Sequence, residues 1–300
     1  PKGVVFMQRL DGKILSQSIF ARLSQAAAAF RSQTGTQPKL TVISVGEDPA
    51  SKVYVGQKQK RALEIGYAFE WVLLPADISQ EELERTIKVH NQDPQTHGLL
   101  LQLPLPEHLD PLSAMHLIDP EKDVDGFHPL TMGRVVEDNT DLYPCTPKGI
   151  VRLLENAQIP LQGQNVVVVG RSQIVGLPIS IMLINRGATV TVCNSKTQDL
   201  GHYTRYADIL IVATGQAHLI GPDHLKEGAV VVDVGINRLM SGKLVGDVDF
   251  EAVAHKVSYI TPVPGGVGPM TVAMLMEQTF TCACQQQNLD PLTFLSQEEA

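Results

Sequence analysis

A tyrosine and a lysine, Tyr54 and Lys58, stand four residues apart in a segment with a helical pattern. On a helix, that spacing places the phenol ring and the amine on the same face. A lysine so placed can act as a general acid or base, or stabilise developing charge, if burial and neighbouring groups lower its pKa. The alternative is that Tyr54 covers the core and Lys58 points into water, as most lysines do.

Two more polar side chains stand where a ligand could meet this pair. Gln102 comes at the C-terminal end of an apolar run, where open α/β sheets place ligand groups, and it could hold Lys58 in position. Otherwise it pairs with neighbouring backbone. Asp125, in Asp123-Val-Asp-Gly-Phe127, could accept two hydrogen bonds from an aminopyrimidine ring or cap a turn. The nearby His128 is assigned no role.

A glycine turn indicates a second kind of chemistry. The apolar run Val166–Val169 leads into Gly170-x-Ser172-x-x-x-Gly176 and then into an apolar segment. The first glycine permits a tight turn, and the small residue at 172 lets the backbone approach a pyrophosphate. Gly176 lets helix and strand pack closely, with free helix amides facing the phosphates. A serine in the second place and one inserted residue depart from G-x-G-x-x-G, so a structural strand-to-helix turn is the alternative.

The next predicted strand, Ala188–Cys193, ends in Asn194-Ser195-Lys196-Thr197. NAD enzymes usually carry Asp or Glu there to hold the ribose hydroxyls. Here no carboxylate would repel a 2′-phosphate, Ser195 can donate a hydrogen bond to one, and Arg171 and Lys196 can supply positive charge. This pattern favours NADP over NAD, unless the two cations are simply solvated on the surface.

A third segment, Pro262–Pro269, holds three prolines and three glycines. That composition predicts an irregular loop, and X-Pro bonds permit the cis geometry of sharp functional turns. A rigid interdomain linker is the alternative.

A βαβ scaffold must bring these side chains together, and the chain shows its pattern. Helices are predicted at 14–30, 50–65 and 79–91, the last with a capping box, and strands at 40–45, 67–74 and 98–103. Residues 119–147 read as a loop, followed by a helix at 148–156. Short β-branched runs, typical of parallel strands covered on both faces, follow at 166–170, 188–193, 209–215, 229–235 and near 258, with a possible hairpin at 242–243.

We therefore predict an α/β protein of two domains. Residues 1–145 form an N-terminal α/β catalytic domain, and residues 146–269 form a Rossmann-like dinucleotide-binding domain. The C-terminal helix, within about 270–290, is expected to return to the first domain and to put the Pro262–Pro269 loop in the cleft. The polar tail 285–300 is expected to fray.

The composition limits the partners. The chain has 300 residues, 43% of them hydrophobic, and a net charge of −8 without a long basic block, which argues against nucleic acid or an anionic membrane. The four cysteines form no C-x-x-C pair, so we expect no metal site and reduced thiols in a cytoplasmic compartment. No apolar run approaches the roughly 18 to 20 residues that cross a bilayer, and no secretory signal pattern is seen.

Together the motifs resemble those of the bifunctional methylenetetrahydrofolate dehydrogenase/methenyltetrahydrofolate cyclohydrolase family. They stand in the family's order and span almost the whole chain. They are Tyr54-x-x-x-Lys58, Gln102-Leu-Pro-Leu-Pro106, Asp123-Val-Asp-Gly-Phe127, Pro144-x-Thr-Pro147, Gly170-Arg-Ser-x-Ile-Val-Gly-x-Pro178 and Pro262-Val-Pro-Gly-Gly-Val-Gly-Pro-Met-Thr271.

The resemblance implies a two-step reaction of tetrahydrofolate derivatives in one cleft. Hydride passes from the one-carbon bridge of 5,10-methylenetetrahydrofolate to NADP, and water then attacks the 5,10-methenyl cation to give 10-formyltetrahydrofolate. Tyr54 would stack on the folate, Asp125 would bind the pterin, and Lys58, tuned by Gln102, would assist proton movements. A positive Lys58 beside a cation is unfavourable, so this hypothesis requires a lowered pKa for Lys58.

The resemblance also implies binding contacts. It places Gly170, Arg171 and Ser172 at the cofactor phosphates, Ser195 near the 2′-phosphate and Ile236 near the nicotinamide end. Substrate or the neighbouring cofactor would also touch Leu103, Pro264, Gly265, Gly266 and Val267. No metal ligands are evident.

Two further points follow from the resemblance. Asn194 stands where some relatives carry histidine, which leaves the strength of the NADP preference open. The family's common homodimer implies that the second domain pairs with its copy.

Three other interpretations stay open. A binding or regulatory protein could keep the nucleotide fold without turnover, although it would need no lysine poised for proton transfer. A dehydrogenase with little cyclohydrolase activity, or an unrelated NADP oxidoreductase of a small oxo acid, is a closer alternative.

Overall fold

The computed structural model describes residues 7–295, which form two compact units. One unit takes in the described part of Pro1–Ser16, with Val135–Asp138 and Pro144–Thr271, and we call it the six-stranded unit after its sheet. The other takes in Gln17–Arg134, Asn139–Tyr143 and the described part of Val272–Ala300. We call it the three-stranded unit.

The helices and strands of the described residues are, in chain order, β1 (Gln8–Arg9), α1 (Gly12–Thr34), β2 (Lys39–Val45), α2 (Pro49–Glu64), β3 (Ala68–Leu74), α3 (Gln80–Gln92), β4 (Gly98–Leu101), α4 (Pro111–Met115), α5 (Pro129–Val136), α6 (Cys145–Asn156), β5 (Asn165–Val169), α7 (Gly176–Asn185), β6 (Thr189–Cys193), α8 (Leu200–Thr204), β7 (Ile209–Val212), β8 (Val230–Asp233), β9 (Asn237–Arg238), β10 (Leu244–Val245), α9 (Phe250–Val253), β11 (Tyr259–Ile260), α10 (Val267–Gln286) and α11 (Leu292–Leu295). A single 3₁₀ turn, Pro222–His224, lies between β7 and β8.

The three-stranded unit is built on a parallel sheet with the order β3-β2-β4. Leu40 of the central strand pairs with Phe69 on one side and with Gly98 on the other. All of β4 is buried, as expected for a parallel strand covered on both faces. Because parallel strands end at one edge of a sheet, Gln102 emerges at the edge where ligands bind in such folds.

Helix α3 fixes one face of this sheet. Its start is a capping box in which Ser79 and Glu82 each accept the other's backbone amide, as predicted. Its buried Leu83 and Ile87 share a core cluster with Ile43 and apolar residues of β4. The strand that carries Gln102 is therefore anchored by close packing.

The six-stranded unit contains a parallel sheet with the order β1-β11-β8-β7-β5-β6. Counted from β5, the strand order is 2-1-3-4-5, a doubly wound arrangement, with β1 added at the far edge. The winding reverses between β5 and β7. Open α/β sheets bind their ligands at such a reversal, outside the carboxyl ends of the strands.

The predicted fold class, two α/β domains with a C-terminal helix that returns to the first, is confirmed. Residues of α10 from Val272 onward belong to the three-stranded unit, where the Tyr67 hydroxyl donates to the Met276 carbonyl at 3.0 Å. The hairpin at Gly242-Lys243 is also confirmed, because β9 and β10 pair antiparallel around it.

Two predictions of irregular structure are wrong. The 119–147 stretch contains α5, in which Pro129 takes the first helical position, where a missing N–H leaves no bond unmade. Helix α6 begins at Cys145 rather than at 148. Val267–Pro269, expected to be part of an irregular loop, forms the first turn of α10, where proline is tolerated for the same reason.

The tail predicted to fray is ordered over much of its length. Helix α10 extends to Gln286, and α11 buries Phe294. The Phe294 ring centroid lies 6.0 Å from that of Phe30 and 5.8 Å from that of Phe280, in edge-on contacts that favour aromatic packing. Residues 296–300, like 1–6, lie outside the described part of the chain.

Gly98 at the start of β4 tests the packing of the three-stranded unit. A Cβ there would lie 2.6 Å from Val124 Cγ1 and 3.2 Å from Thr279 Oγ1. We expect Gly98→Ala to lower the free energy of unfolding by about 1 to 3 kcal/mol, as overpacking does, in urea denaturation.

The matched control is Gly133→Ala in α5, where no atom lies within 4 Å of the added Cβ. Alanine is the better helix former, so this substitution should raise the unfolding free energy by about 0.5 to 1 kcal/mol. Similar effects of the two substitutions would contradict the packing described.

Candidate active site

Helix α2 presents Tyr54 and Lys58 on one face. It begins at an N-cap in which the Asp48 carboxylate accepts the Ser51 amide at 2.7 Å, with Pro49 in the first turn. Tyr54 is 51% exposed, and Lys58 is partly buried. The Tyr54 ring is therefore available for stacking, while the Lys58 side chain is partly covered by neighbouring residues.

A hydrogen bond joins α2 to the edge of the sheet. Lys58 Nζ donates to Gln102 Oε1 at 2.9 Å. The Gln102 side chain in turn donates through Nε2 to the Leu103 carbonyl at 2.8 Å, and its backbone amide donates to the Ile43 carbonyl at 2.8 Å. Because the amide NH₂ is committed to Leu103, the carboxamide oxygen is the atom that faces Lys58.

The loop that carries Asp125 is held from two sides. The buried Asp123 carboxylate accepts the Gly126 amide at 3.1 Å and the His128 amide at 2.8 Å. From α10, Gln278 Nε2 donates to the Val124 carbonyl at 2.7 Å. Asp125 lies between these attachments, so its backbone position is well defined.

Burial raises the pKa of Asp125 from 3.8 to about 6. The Lys58 charge opposes this rise, and the neighbouring Asp123 carboxylate adds to it. The side chain keeps partial contact with solvent, and its carboxylate is mostly ionised above that pH.

Four of the predicted catalytic residues therefore belong to one group in the three-stranded unit. Tyr54 and Lys58 share a helix face, Lys58 contacts Gln102, and Asp125 lies within electrostatic reach of Lys58. The predicted contact residue Leu103 orients the glutamine through its carbonyl. A ring face, an amine and a carboxylate together can bind a flat heterocycle and move a proton beside it.

The glycine turn after β5 has the close contacts that its glycines suggest. Gly170 has φ +122, and a Cβ on it would overlap the Ala213 carbonyl, at the carboxyl end of the neighbouring β7. A Cβ on Gly176 would overlap the Gly170 carbonyl. Only glycine fits at both positions, and together they bring the start of α7 to the reversal of the sheet.

Ser172 has a further role that the sequence did not predict. Its Oγ accepts the amides of Val175 at 3.2 Å and Gly176 at 3.4 Å, so it caps the start of α7. Arg171 beside it is exposed. The Leu177 amide also donates to the Ser172 carbonyl at 3.0 Å, and Pro178 has no N–H, so the prediction of free amides at this helix start is wrong. The turn offers an anion the helix dipole and the charge of Arg171.

The turn after β6 is closed by its own side chains. The backbone amide of Asn194 donates to Thr197 Oγ1 at 2.9 Å, and the side-chain Oδ1 of Asn194 accepts the Lys196 backbone amide at 2.9 Å. Ser195 and Lys196 are exposed at its tip. The side chain of Asn194 shapes this turn, which presents a hydroxyl and an ammonium outward.

Ile236 and the glycine-rich loop are neighbours in the same unit. Ile236 is 56% exposed, and its Cδ1 lies 3.9 Å from the place of a Cβ on Gly268. Gly265 has φ +108, and its carbonyl accepts the Lys13 amide at 3.0 Å. A Cβ on Gly266 would lie 2.6 Å from the Pro262 carbonyl, so the loop is tightly folded.

Two residues that organise the Asp125 loop were not singled out from the sequence. Asp123 was considered only as part of its motif, and Gln278 not at all. The signal for Gln278 is the polar run Glu277-Gln-Thr279 inside an apolar helix, since polar groups are buried only when they are hydrogen-bonded. Gln278 bonds Val124 and also accepts the Tyr143 amide at 2.7 Å.

The part of the chain between residues 7 and 295 lacks two features. Between residues 7 and 295, His, Cys, Asp and Glu side chains form no group of three or more that could hold a metal ion. Over the same range, no helix combines the length and the apolar character that crossing a membrane requires.

The fold and these two groups of residues define a two-domain α/β protein of the dinucleotide-binding class. The model of the tetrahydrofolate dehydrogenase/cyclohydrolase catalytic domain matches residues 10–125, and that of the NAD(P)-binding domain of the same family matches residues 144–287. The chain belongs to the tetrahydrofolate dehydrogenase/cyclohydrolase family.

Individual relatives agree with this assignment. The chain is 50% identical over 277 residues to the bifunctional protein FolD of Brevibacillus brevis, covering 92% of this chain and 97% of the relative. A crystal structure of FolD from Campylobacter jejuni superposes with a TM-score of 0.91 at 49% identity, covering 92% of this chain and 98% of the other. The Trypanosoma brucei FolD, complexed with NADP cofactor and inhibitor, gives a TM-score of 0.88 at 38% identity, covering 92% and 96%.

The raised pKa of Asp125 has a consequence for stability. A carboxyl with a raised pKa adds stability that is fully present below its unfolded value, near 3.8, and is lost as the pH rises through about 6. We expect Asp125→Asn, which removes the desolvated charge, to raise the free energy of unfolding by about 1 to 2 kcal/mol at pH 7.5. Urea denaturation at several pH values measures it.

The gain should shrink towards pH 4, where Asp125 is protonated in the folded protein. Asp77→Asn serves as a control, because Asp77 is an exposed carboxylate of the same unit. A gain that is independent of pH would contradict the account of Asp125.

Proposed function

We propose that this chain oxidises 5,10-methylenetetrahydrofolate with NADP and hydrolyses the 5,10-methenyl product to 10-formyltetrahydrofolate. The observation that carries the proposal is the Lys58–Gln102 hydrogen bond, 2.9 Å long, beside the carboxyl group of Asp125. Family membership and the bifunctional names of the relatives support the substrate class. In the hydrolytic half-reaction the Lys58 amine would transfer the proton, with the Gln102 amide to orient it and the Asp125 carboxyl group nearby.

In the first half-reaction the residues act by orientation. Loss of a hydride from the one-carbon bridge leaves a cation and transfers no proton to the protein. The exposed ring of Tyr54 stacks on the folate, and the ionised Asp125 accepts two hydrogen bonds from the aminopyrimidine edge. These contacts fix the bridge carbon for transfer, and holding the reactants in place is itself a large part of catalysis.

In the second half-reaction a water adds to the bridge carbon and the bond from that carbon to N5 breaks. One proton of the water ends on N5 and the other is released. Lys58, as a neutral amine, takes a proton from the attacking water and returns it to the leaving nitrogen.

The six-stranded unit supplies the cofactor site. Gly170, Arg171 and Ser172 would hold the pyrophosphate, because a glycine cradle, an exposed cation and a helix N-terminus suit an anion. Ser195 would donate to the 2′-phosphate and Ile236 would contact the nicotinamide end. When bound, NADP supplies the acceptor of the hydride.

The remaining contacts extend the substrate site. Leu103 would contact the folate beside Gln102, and Pro264, Gly265, Gly266 and Val267 would contact the folate or the neighbouring cofactor. The tight fold of this loop supports such a role, since preorganised backbone binds with little loss of entropy.

The organisation of the whole protein is proposed on the same basis. The catalytic domain lies within 1–145 and is completed by a helix near 270–290, and the dinucleotide domain comprises 146–269, to whose sheet the N-terminal strand β1 is added. Two copies pair through the six-stranded unit, where β6 is an edge strand with Val192 partly exposed. The compartment is cytoplasmic, which agrees with four cysteines that are all buried.

A paired assay tests the two activities and the role of Lys58. Unmodified protein should reduce NADP with 5,10-methylenetetrahydrofolate and should accelerate the loss of supplied 5,10-methenyltetrahydrofolate. Lys58→Met should lower the hydrolytic kcat by at least about 100-fold, the usual worth of a general acid–base group, while hydride transfer survives. Absorbance of reduced cofactor and of the methenyl compound follows both steps.

Lys60→Met is the matched control, because Lys60 lies on the same helix with its side chain 80% exposed. It should leave both activities unchanged. Full hydrolysis in Lys58→Met rejects the role assigned to Lys58. If the unmodified protein transfers hydride but does not accelerate hydrolysis, it is a simple dehydrogenase. If the unmodified protein shows neither activity, a binding protein is favoured.

The cofactor assignment predicts a charge-dependent preference. Ser195→Asp places a carboxylate where the 2′-phosphate would lie, so KM for NADP should rise at least about tenfold, while KM for NAD should change much less. Gln198→Asp, with the same change of charge at another exposed position nearby, should affect both cofactors little. Equal effects on NADP and NAD would contradict the position given to Ser195.

A further inference from the structure

Two buried aspartates lie at the carboxyl end of the six-stranded sheet. Asp233 is the last residue of β8 and is 3% exposed, and Asp247 follows β10 and is fully buried. Neither is used in the proposed chemistry. Among the described residues, hydrogen-bond donors hold both carboxylates.

Asp247 binds the segment that follows β7. Its Oδ2 accepts the Thr214 amide at 2.6 Å, the Thr214 hydroxyl at 2.9 Å and the Gly215 amide at 3.0 Å. Its Oδ1 accepts Asn237 Nδ2 at 2.9 Å. One carboxylate thus joins the end of β7 to the start of β9.

Asp233 completes the connection from β8. Its Oδ1 accepts the Gly235 amide and the Asp247 amide, each at 2.9 Å, and its Oδ2 accepts the Val248 amide at 2.9 Å. Gly235 immediately precedes Ile236. The two carboxylates therefore fix the segments after two neighbouring strands by their backbone atoms.

Two glycines make room for these carboxylates. A Cβ on Gly235 would overlap the Asp247 carboxylate, and a Cβ on Gly246 would overlap the Asp233 carboxylate. At both glycines the backbone therefore lies closer to the carboxylate than a residue with a Cβ would allow. The close approach leaves the two segments little freedom to shift.

The arrangement is unfavourable for stability on its own. Burial raises the pKa of Asp233 to about 6, and the Asp247 charge adds to the rise against three backbone hydrogen bonds. The amides and side-chain donors that each carboxylate accepts offset this cost only in part, and an apolar replacement would leave those donors unsatisfied. Their position at the ligand-binding edge of the sheet indicates a different use.

We propose that Asp233 and Asp247 are positioning residues that hold Thr214–Gly215 and Gly235–Ile236 in place for the nicotinamide half of the cofactor. The proposal rests on the proposed function, which gives Ile236 that contact. Thr214 and Gly215 follow β7, which borders the reversal of the sheet. Fixing both segments before binding lowers the entropy lost when the cofactor is bound.

The hydrolytic activity provides an internal control, because water attack on supplied 5,10-methenyltetrahydrofolate consumes no cofactor. Asp247→Ala removes all four hydrogen bonds made by the carboxylate. We expect its Kd for NADP, measured by calorimetry, to rise at least tenfold, with an equal rise in KM for NADP. Hydrolysis and KM for the folate should stay within twofold of the unmodified protein.

Asp247→Asn tests the geometry without the charge. Its amide oxygen can still face Thr214 and Gly215, and its NH₂ can donate to Asn237 once that side chain turns its own oxygen inward. We therefore expect this variant to recover NADP affinity to within about threefold. Thr214→Val removes one of the four bonds to Asp247, together with a bond that the hydroxyl accepts from the exposed Gln216 amide, and should give an intermediate loss.

The outcomes separate the proposals. Unchanged NADP binding in folded Asp247→Ala with a lowered melting temperature shows a purely structural pair and overturns this inference alone. If Asp247→Ala fails to fold, unchanged NADP affinity in Thr214→Val, or a loss of NADP affinity of about tenfold or more in Asp247→Asn, overturns it. Absence of NADP binding by the unmodified chain overturns the proposed function and this inference with it.

Discussion

The hydrogen bond between Lys58 and Gln102 depends on backbone that the sheet has already fixed. Gln102 is held by its amide on the Ile43 carbonyl and by its side chain on the Leu103 carbonyl. Its oxygen is then the only amide atom left for Lys58, and α2 brings the lysine to it from a capped start. The amine is thus placed by groups whose own positions follow from parallel strand pairing. A site supported in this way keeps its geometry without strain in the reacting side chain.

Both units hold their functional groups in position, but they do so by different means. In the three-stranded unit, polar side chains hold the Asp125 loop, and the functional carboxyl itself is left partly desolvated with a raised pKa. In the six-stranded unit, glycines account for much of the positioning because they have no side chain. Gly170 and Gly176 allow a carbonyl or a helix start to approach where any Cβ would overlap. In both units, groups that are unfavourable for folding stand at the carboxyl ends of the strands, which is where proteins commonly accept such a penalty for function.

The sequence was most informative where local chemistry decides the structure. The buried parallel strands, the Ser79 capping box and the glycine turn at Gly170 were predicted because each depends on neighbouring residues. Helix α5 was missed because Pro129 reads as a breaker, although a first helical turn tolerates it. For the site, the residue types of Lys58, Gln102 and Asp125 could be proposed from motifs. The bonds that orient them could not, because Gln278 lies 154 residues from Val124 and no local pattern specifies that pairing.

The return of α10 to the three-stranded unit bears on how the protein is made. Residues Gln17–Arg134 leave the ribosome well before Val272 and its successors, which complete their core. Until then, Phe30 lacks its contact with Phe280, and the Asp125 loop lacks Gln278. Contacts between distant parts of a chain form late and leave apolar surface exposed in the meantime. The three-stranded unit is therefore synthesised largely before the six-stranded unit but is completed after it, and its core stays open in the interval.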